Sequence, residues 1–305
     1  MPSNQSPLGA LPARFRRERI LIVGCGDIGL RLARQLQGRV RLLALTSSPH
    51  RIAALRGQGL TPLAGDLDRR GSLARLAGLA TRVVHLAPPP SGREPAWRDP
   101  RTSALLQALR RRTPPAMLVY ASTTGVYGDC GGDKVAEWRP LAPGTPRAQR
   151  RADAEAAVRH FGRATGARAA ILRVPGIYAP DREGGTPRER LLKGTPVLRA
   201  EDDVFTSHIH ADDLARALAA ALWRGRPQRA VNVADDTELK MGDWFDLAAD
   251  RYGLPRPPRI ARAQAQEQLP PVLLSFMGES RRLDNQRLKR ELRLRLRYPS
   301  VREGL

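Results

Sequence analysis

Arg19-Ile20-Leu21-Ile22-Val23-Gly24-Cys25-Gly26-Asp27-Ile28-Gly29-Leu30 runs unbroken from an apolar stretch into a glycine loop and on into an amphipathic segment. Ile20 to Val23 has the continuous apolar character of a buried parallel strand, and Asp27 to Gln37 carries Ile28, Leu32 and Leu36 at helical spacing. A G-x-G-x-x-G pattern alone is common, but between a strand and a helix each glycine has a physical task. Gly24 permits the tight turn, Gly26 lets the backbone approach a pyrophosphate, and Gly29 lets helix and strand pack closely. The free N–H groups of the helix N-terminus then face the phosphates, so the segment reads as a dinucleotide site.

Outward from this unit, strands and helices keep alternating. Strands are expected at Val40 to Leu45, Thr61 to Leu63, Arg82 to Ala87 and Ala116 to Ala121, with helices at Pro49 to Arg56, Ser72 to Leu79 and Asp99 to Arg112. Strands separated by helices predict an α/β fold, a Rossmann-like doubly wound parallel sheet. Pro88-Pro89-Pro90 marks a loop at a strand's C-terminal edge, where such sheets take ligands.

The second half is less regular, as expected of a smaller C-terminal substrate lobe. A sixth strand is predicted at Arg168 to Val174, a helix at Ala211 to Trp223, a last strand at Ala230 to Val233 and a helix at Gly242 to Tyr252. Asp181 to Pro196, charged around Gly184-Gly185, reads as a mobile segment covering the substrate. Arg281 to Leu292 reads as a packing helix through Leu283, Leu288 and Leu292. The expected organisation is a disordered leader over 1–18, a coenzyme-binding domain over 19–175, and a lobe over 176–305. That lobe is expected to return partly to the sheet through strands near residue 203 and the helix over 211–223.

The 305 residues carry a formal net charge of +22, which raises the question of nucleic acid. Apart from Lys134, Lys193, Lys240 and Lys289 the basic residues are arginines, scattered through every segment, and aromatic residues make up only 5% of the chain. Base-stacking platforms are therefore scarce, and specific nucleic-acid binding is not expected. No apolar run is long enough for a membrane span, and residues 1–19 lack the apolar core of a secretory signal. Cys25 and Cys130 form neither a disulfide framework nor a metal-ligand spacing, so a reducing, cytoplasmic location and no metal are expected.

Six segments follow in order: Gly24 to Gly29, Gly65-Asp66-Leu67, His85-Leu86-Ala87, Ser122-Thr123-Thr124-Gly125-Val126-Tyr127-Gly128, Leu172-Arg173-Val174-Pro175-Gly176-Ile177-Tyr178, and His208-Ile209-His210-Ala211-Asp212-Asp213. Together they resemble the extended short-chain dehydrogenases of the NAD-dependent epimerase/dehydratase superfamily, in particular its YeeZ-like atypical group, over residues 19–305. The resemblance implies pyrophosphate contacts from Gly24, Gly26, Asp27, Ile28 and Gly29, and adenine contacts from Asp66 and Leu67. It also implies that Leu86, Ala87 and Pro88 lie under the nicotinamide ribose, with Pro175 beside the nicotinamide.

The choice between NAD and NADP turns on the end of the second strand, where a carboxylate would accept the ribose hydroxyls and repel a 2′-phosphate. Here the chain reads Leu45-Thr46-Ser47-Ser48-Pro49-His50-Arg51, with hydroxyls and a guanidinium and no acid. Thr46, Ser47, Ser48 and Arg51 suit a phosphate dianion, so NADP is expected, with NAD as the alternative. Ser47 or Ser48 is also placed to cap the helix expected near Pro49.

In the family this chain resembles, a Ser or Thr polarises the substrate oxygen, a Tyr passes the proton, and a Lys four residues on assists it. Thr123 falls at the Ser/Thr position, with Ser122 beside it. The family pattern P-x-x-P-Y-x-x-x-K-x-x-x-E meets Pro143-Gly144-Thr145-Pro146-Arg147-Ala148-Gln149-Arg150-Arg151-Ala152-Asp153-Ala154-Glu155, so Arg147 and Arg151 stand at the Tyr and Lys positions. A guanidinium does not release its proton near neutrality, so Arg147 cannot act as the acid. One helical turn apart, the two arginines can instead meet a phosphate or carboxylate, or simply face solvent. Tyr127 is the remaining phenol candidate for proton transfer, Lys134 is a basic side chain on a nearby loop, and Cys130 reads as a spectator thiol.

His208 and His210 alternate on a short strand, expected over Phe205 to Ile209, that feeds a helix whose start carries Asp212 and Asp213. That pattern favours structure over metal ligation, with the carboxylates serving the helix N-terminus. The function expected is an NADP-binding oxidoreductase or epimerase-like activity on a small, anionic molecule. The alternative is a non-catalytic NADP-binding redox sensor or scaffold, and a monomer or homodimer fits either.

Overall fold

The computed structural model describes residues 18–90, 92 and 95–305. The leader expected over 1–18 lies outside the described residues except for Glu18, which is fixed in place by Thr81 and Arg82.

The first unit forms as its pattern demands. Strand β1 (Arg19–Val23) leads through the glycine loop into helix α1 (Asp27–Leu36), then β2 (Arg41–Thr46), α2 (Arg51–Gly57) and β3 (Thr61–Ala64). Strand β4 (Arg82–His85), helix α3 (Pro100–Leu109), strand β5 (Met117–Thr123) and helix α4 (Pro146–Thr165) follow, and then β6 (Arg168–Val174). Beyond these come β7 (Gly176–Tyr178), β8 (His208–His210), α5 (Ala211–Arg224), β9 (Arg229–Asn232) and α6 (Met241–Tyr252). Seven strands make one sheet in the order β9-β6-β5-β4-β1-β2-β3, every neighbour parallel.

Strand alternation sorts the apolar side chains into two layers. Ile20 and Ile22 of β1 face α1 and α5 with Leu32, Leu36, Leu214 and Leu218. Leu21 and Val23 face the other way, onto Leu105 and Leu109 of α3 and Val158 and Phe161 of α4. Each fully buried side chain of this size contributes about 1.5–3 kcal/mol, so the sheet is held from both faces. The strand order reverses between β1 and β4, which opens a crevice at the C-terminal ends of those strands.

Several expected elements differ. Residues 70–76 form a 3-10 turn where a helix over 72–79 is predicted. Strand β4 ends two residues early because both Leu86 and Ala87 donate their N–H groups to the Val23 carbonyl, hooking the chain across the end of β1. The strand expected over 205–209 splits: Phe205–Thr206 pairs with Leu239–Lys240, and β8 pairs with β7. The strands near residue 203 therefore stay outside the main sheet, and β9 returns to it instead, alongside α5. Arg281 to Leu292 is only partly helical, since Arg282–Leu283 pairs with Lys134–Val135 before the short helix Gln286–Arg290. Its three leucines are buried as the spacing predicts.

Candidate active site

The glycine loop has the shape a pyrophosphate needs. Gly24 sits at φ +84°, and a Cβ there would stand 2.4 Å from the Ala87 nitrogen. Gly26 has nothing within 4 Å of its Cβ position, whereas a Cβ on Gly29 would meet Ile22 and Cys25 side chains at 3.3 Å. Turn, open approach and close packing thus fall on the three glycines in that order. The Ile28 side chain packs against the core on the α1 side. The loop fits a dinucleotide's diphosphate, and Leu86 and Ala87 lie directly against it.

Asp27, at the first position of α1, is not left to repel an anion. Arg31, buried, donates from Nε to Asp27 at 2.9 Å, from Nη2 to Asp181 at 2.6 Å and from Nη1 to Asp212 at 2.5 Å. Arg182 adds an Nη1 contact to Asp27 at 3.1 Å. Two guanidiniums and three carboxylates therefore join the nucleotide helix, the segment after β7 and the start of α5, an arrangement that no local sequence pattern announces. Asp212 and Asp213 lie in the first turn of α5, where carboxylates are expected, while the cap itself is His210, whose Nδ1 accepts from the Asp212 N–H at 3.2 Å. Asp213 also accepts from the Arg297 and Tyr298 N–H groups.

At the end of β2, Arg51 donates from Nη2 to the Cys25 carbonyl at 2.7 Å, setting its guanidinium across the glycine loop. Thr46 Oγ1 accepts from the Ser48 N–H at 3.2 Å, and Ser47 is exposed. Neither serine caps α2, whose N-cap is His50 without a side-chain bond. Asp66 Oδ1 accepts from the Asp68 N–H at 2.9 Å, so its loop is braced where the adenine contact is expected, and Leu67 packs against the core.

Thr123, Arg147, Arg151 and Pro175 come together around one cavity of about 510 Å³ at the C-terminal ends of β5 and β6. Thr123 Oγ1 accepts from the Gly125 N–H at 3.3 Å, which leaves its hydroxyl proton available. Arg151 donates from Nη1 to the Ala121 carbonyl at 2.7 Å, so strand β5 holds it in place. Arg147, exposed, lies over the Phe276 ring with 4.9 Å between guanidinium carbon and ring centre.

Tyr127 is not where a proton donor has to be. It is buried, donates to Asn232 Oδ1 at 2.7 Å, accepts from Arg173 Nη1 at 2.8 Å, and does not line the cavity. Burial pushes its phenol above the ordinary value, against the pull of Arg173. Its candidacy as proton donor is corrected: the hydroxyl is a structural bolt. Lys134 is also elsewhere, paired with Glu238 at 3.0 Å. Burial raises the Cys130 thiol, which keeps it inert.

On the lobe side the structure gives particular places to residues that the sequence offered only as part of a covering segment or a structural strand. Arg190 lines the cavity over the Phe245 ring at 4.4 Å, with Nε and Nη2 buried and lacking any acceptor. Burial without a counter-charge lowers its pKa. Thr206 Oγ1 and His208 Nδ1, both also on cavity-lining residues, are buried without a hydrogen-bond partner. Burial pulls the His208 imidazole down to about 4, so it is neutral at pH 7. Among the described residues no group of three or more His, Cys, Asp or Glu is placed to hold a metal, and no helix is long and apolar enough to cross a membrane.

The fold and the sequence have counterparts. A structure described as a functionally unknown conserved protein from Silicibacter pomeroyi is 31% identical, with a TM-score of 0.75, covering 94% of this chain and 96% of that one. The dTDP-glucose 4,6-dehydratase from Streptomyces venezuelae, solved with NAD bound, is 24% identical with a TM-score of 0.75 and 94% coverage of both chains. A 3-diazoavenalumate denitrifying reductase from a Streptomyces species is 29% identical over 139 residues, so the match spans 44% of this chain and 45% of that relative's length. The sequence model of the NAD dependent epimerase/dehydratase family matches residues 20–234, from the first strand of the sheet through its last. With the parallel sheet, the glycine loop and this match in agreement, the chain belongs to the NAD dependent epimerase/dehydratase family.

Proposed function

We propose that this protein binds NADP along the glycine-loop edge and acts as an oxidoreductase on a small molecule seated in the cavity beyond β5 and β6. The observation that carries the reading is the convergence of Thr123, Arg147, Arg151 and Pro175 on that one cavity. When bound, the coenzyme supplies hydride exchange at a carbon of the substrate. Thr123 donates its free hydroxyl proton as a hydrogen bond to the substrate oxygen. Arg151, held by the Ala121 carbonyl, and Arg147 place positive charge at the same wall and stabilise negative charge on that oxygen, and the proton that completes the reduction comes from solvent, to which Arg147 is exposed.

NADP over NAD is supported by Arg51, whose guanidinium stands across the glycine loop, and by the lack of an acid at the end of β2. A cytoplasmic location is supported by Cys25 and Cys130, both buried and unpaired. A thermal-shift titration with NADP, NADPH, NAD and NADH tests the coenzyme reading. A coenzyme at a hundred times its dissociation constant adds about 2.7 kcal/mol of stability. No stabilisation by any of the four sinks the reading.

A second reading, coenzyme binding without turnover, is favoured by one observation: the phenol position holds Arg147, and the nearby Tyr127 is locked between Asn232 and Arg173. NADPH consumption with any carbonyl substrate, dependent on Thr123, rules this reading out.

A further inference from the structure

Three residues that line the cavity each carry buried polar atoms without a partner, four atoms in all: Arg190 Nε and Nη2, Thr206 Oγ1 and His208 Nδ1. Leaving buried donors unmade is costly, and a guanidinium without an acceptor is the most costly of the three. Natural cores avoid such clusters unless something outside the chain completes them. Among the described residues no carboxylate answers Arg190. Glu279, the acid lining the same cavity, is already taken by Arg281 at 2.8 Å. The acceptor that Arg190 lacks must therefore come from whatever fills the cavity.

The surroundings narrow what that is. The Arg190 guanidinium carbon stands 4.4 Å over the Phe245 ring centre, and a guanidinium presents a planar fork of donors suited to a two-oxygen acceptor. Trp244 and Phe245 add an apolar wall, with the His208 ring 5.0 Å from Trp244. Donors at one end and aromatic surface alongside describe an organic anion with an apolar body.

We propose that the cavity takes a small organic acid whose carboxylate is gripped by Arg190 and Thr206, with His208 completing the hydrogen bonds, while its apolar body lies against Trp244 and Phe245. The inference deepens the proposed function, since it takes this cavity as the substrate side of the coenzyme site. A neutral His208 supplies one N–H, and a threonine hydroxyl rotates freely to donate, so the carboxylate meets donors from three elements. No residue in this grip needs to change its charge on binding.

Calorimetry on the full chain tests it, using cinnamate and octanoate, their amides cinnamamide and octanamide, and phenyl phosphate, each with and without saturating NADP. At least one of the two carboxylates binds, with its amide at least about tenfold weaker. Arg190→Gln weakens that carboxylate at least about tenfold, Arg190→Lys recovers part of the loss, and Thr206→Val weakens it about threefold, all with NADP affinity unchanged. Carboxylates bound no better than their amides, no binding of either, or an Arg190→Gln protein that binds like wild type would each overturn the proposal. Phenyl phosphate bound tighter than both carboxylates would overturn it in favour of a phosphate ester. If Arg190→Gln does not fold, Thr206→Val and the amide comparison decide. Arg190-dependent carboxylate binding in a protein that ignores all four coenzymes would sink the proposed function and leave this inference standing, and the converse result would do the reverse.

Discussion

Arg51 Nη2 donates to the Cys25 carbonyl at 2.7 Å, tying the start of α2 to the turn between β1 and α1. This bond fixes a permanent positive charge where the adenosine ribose of a dinucleotide sits in folds of this kind. Arg51→Ala lowers NADP affinity by about tenfold or more, the worth of a charge-assisted bond to phosphate, and changes NAD affinity little. Calorimetric titration of both coenzymes checks it, and equal losses for the two would show that Arg51 acts on the loop rather than on the 2′-phosphate.

Gly24 and Gly26 differ in what a methyl group meets. Gly24→Ala forces a Cβ to 2.4 Å from the Ala87 nitrogen at a backbone angle of φ +84°, so it destabilises the fold as well as the coenzyme site. Gly26→Ala finds open space in the free protein, keeps its stability within about 1 kcal/mol, and loses coenzyme binding because the methyl occupies the phosphate's approach. Denaturant melts paired with coenzyme titrations separate the two outcomes. A Gly26→Ala protein with normal NADP affinity contradicts the placement of the pyrophosphate.

Thr123 and Tyr127 lie four residues apart and have opposite surroundings. Thr123→Val removes the free hydroxyl from the cavity and lowers turnover by about a hundredfold, with stability and NADP affinity nearly intact. Tyr127→Phe leaves Asn232 and Arg173 short of a buried partner and costs about 1–3 kcal/mol of stability, with turnover per folded molecule preserved. Active-site titration combined with urea unfolding tests the contrast, and a larger turnover loss in Tyr127→Phe than in Thr123→Val reverses it.

Glu155 and Arg173 are both buried and bond twice, Nε to Oε1 at 3.1 Å and Nη2 to Oε2 at 2.8 Å. Glu155→Ala strands a buried guanidinium and costs about 3–5 kcal/mol, visible as an early urea midpoint. A loss under about 1 kcal/mol would mean that Arg173 is satisfied by the Glu137 carbonyl and Tyr127 alone.

Two buried histidines contribute a falling acid limb to the stability curve, opposed by Asp235, whose carboxyl burial raises to about 7. Burial lowers His208 to about 4, and burial followed by the nearby Arg151 charge lowers His85 to about 3, both below the unfolded value near 6.5. At these two sites the unfolded chain therefore binds more protons below about pH 6.5, and their contribution to stability falls as pH drops from about 6.5 toward about 4. Each histidine contributes a slope approaching about 1.4 kcal/mol per pH unit. His208→Gln flattens this acid limb in urea unfolding measured between pH 7 and pH 5, and an unchanged limb would mean that His208 is charged in the folded protein.

Local pattern made the coenzyme half legible. The alternating apolar runs predicted the parallel sheet, because strand alternation and helical spacing are short-range properties that burial on two faces enforces. The three glycines announced their tasks because a tight turn and a close approach tolerate no side chain. The arginines at positions 147 and 151, where the resemblance places a phenol and an ammonium, were legible from the sequence alone.

What pattern could not show was how far-apart segments meet. Arg31 collects Asp27, Asp181 and Asp212 across more than a hundred and eighty positions of chain, and Tyr127 is bolted to Asn232 from another strand. Arg190, one guanidinium among many in an arginine-rich chain, stands out only because tertiary packing buries it against Phe245 and leaves it without an acceptor. Amino-acid order alone determined the sheet and the dinucleotide loop, since both are built from neighbours in the chain. Which polar groups stay paired and which await a ligand was decided by the folded structure, because that depends on desolvation and distance between residues that the sequence keeps apart.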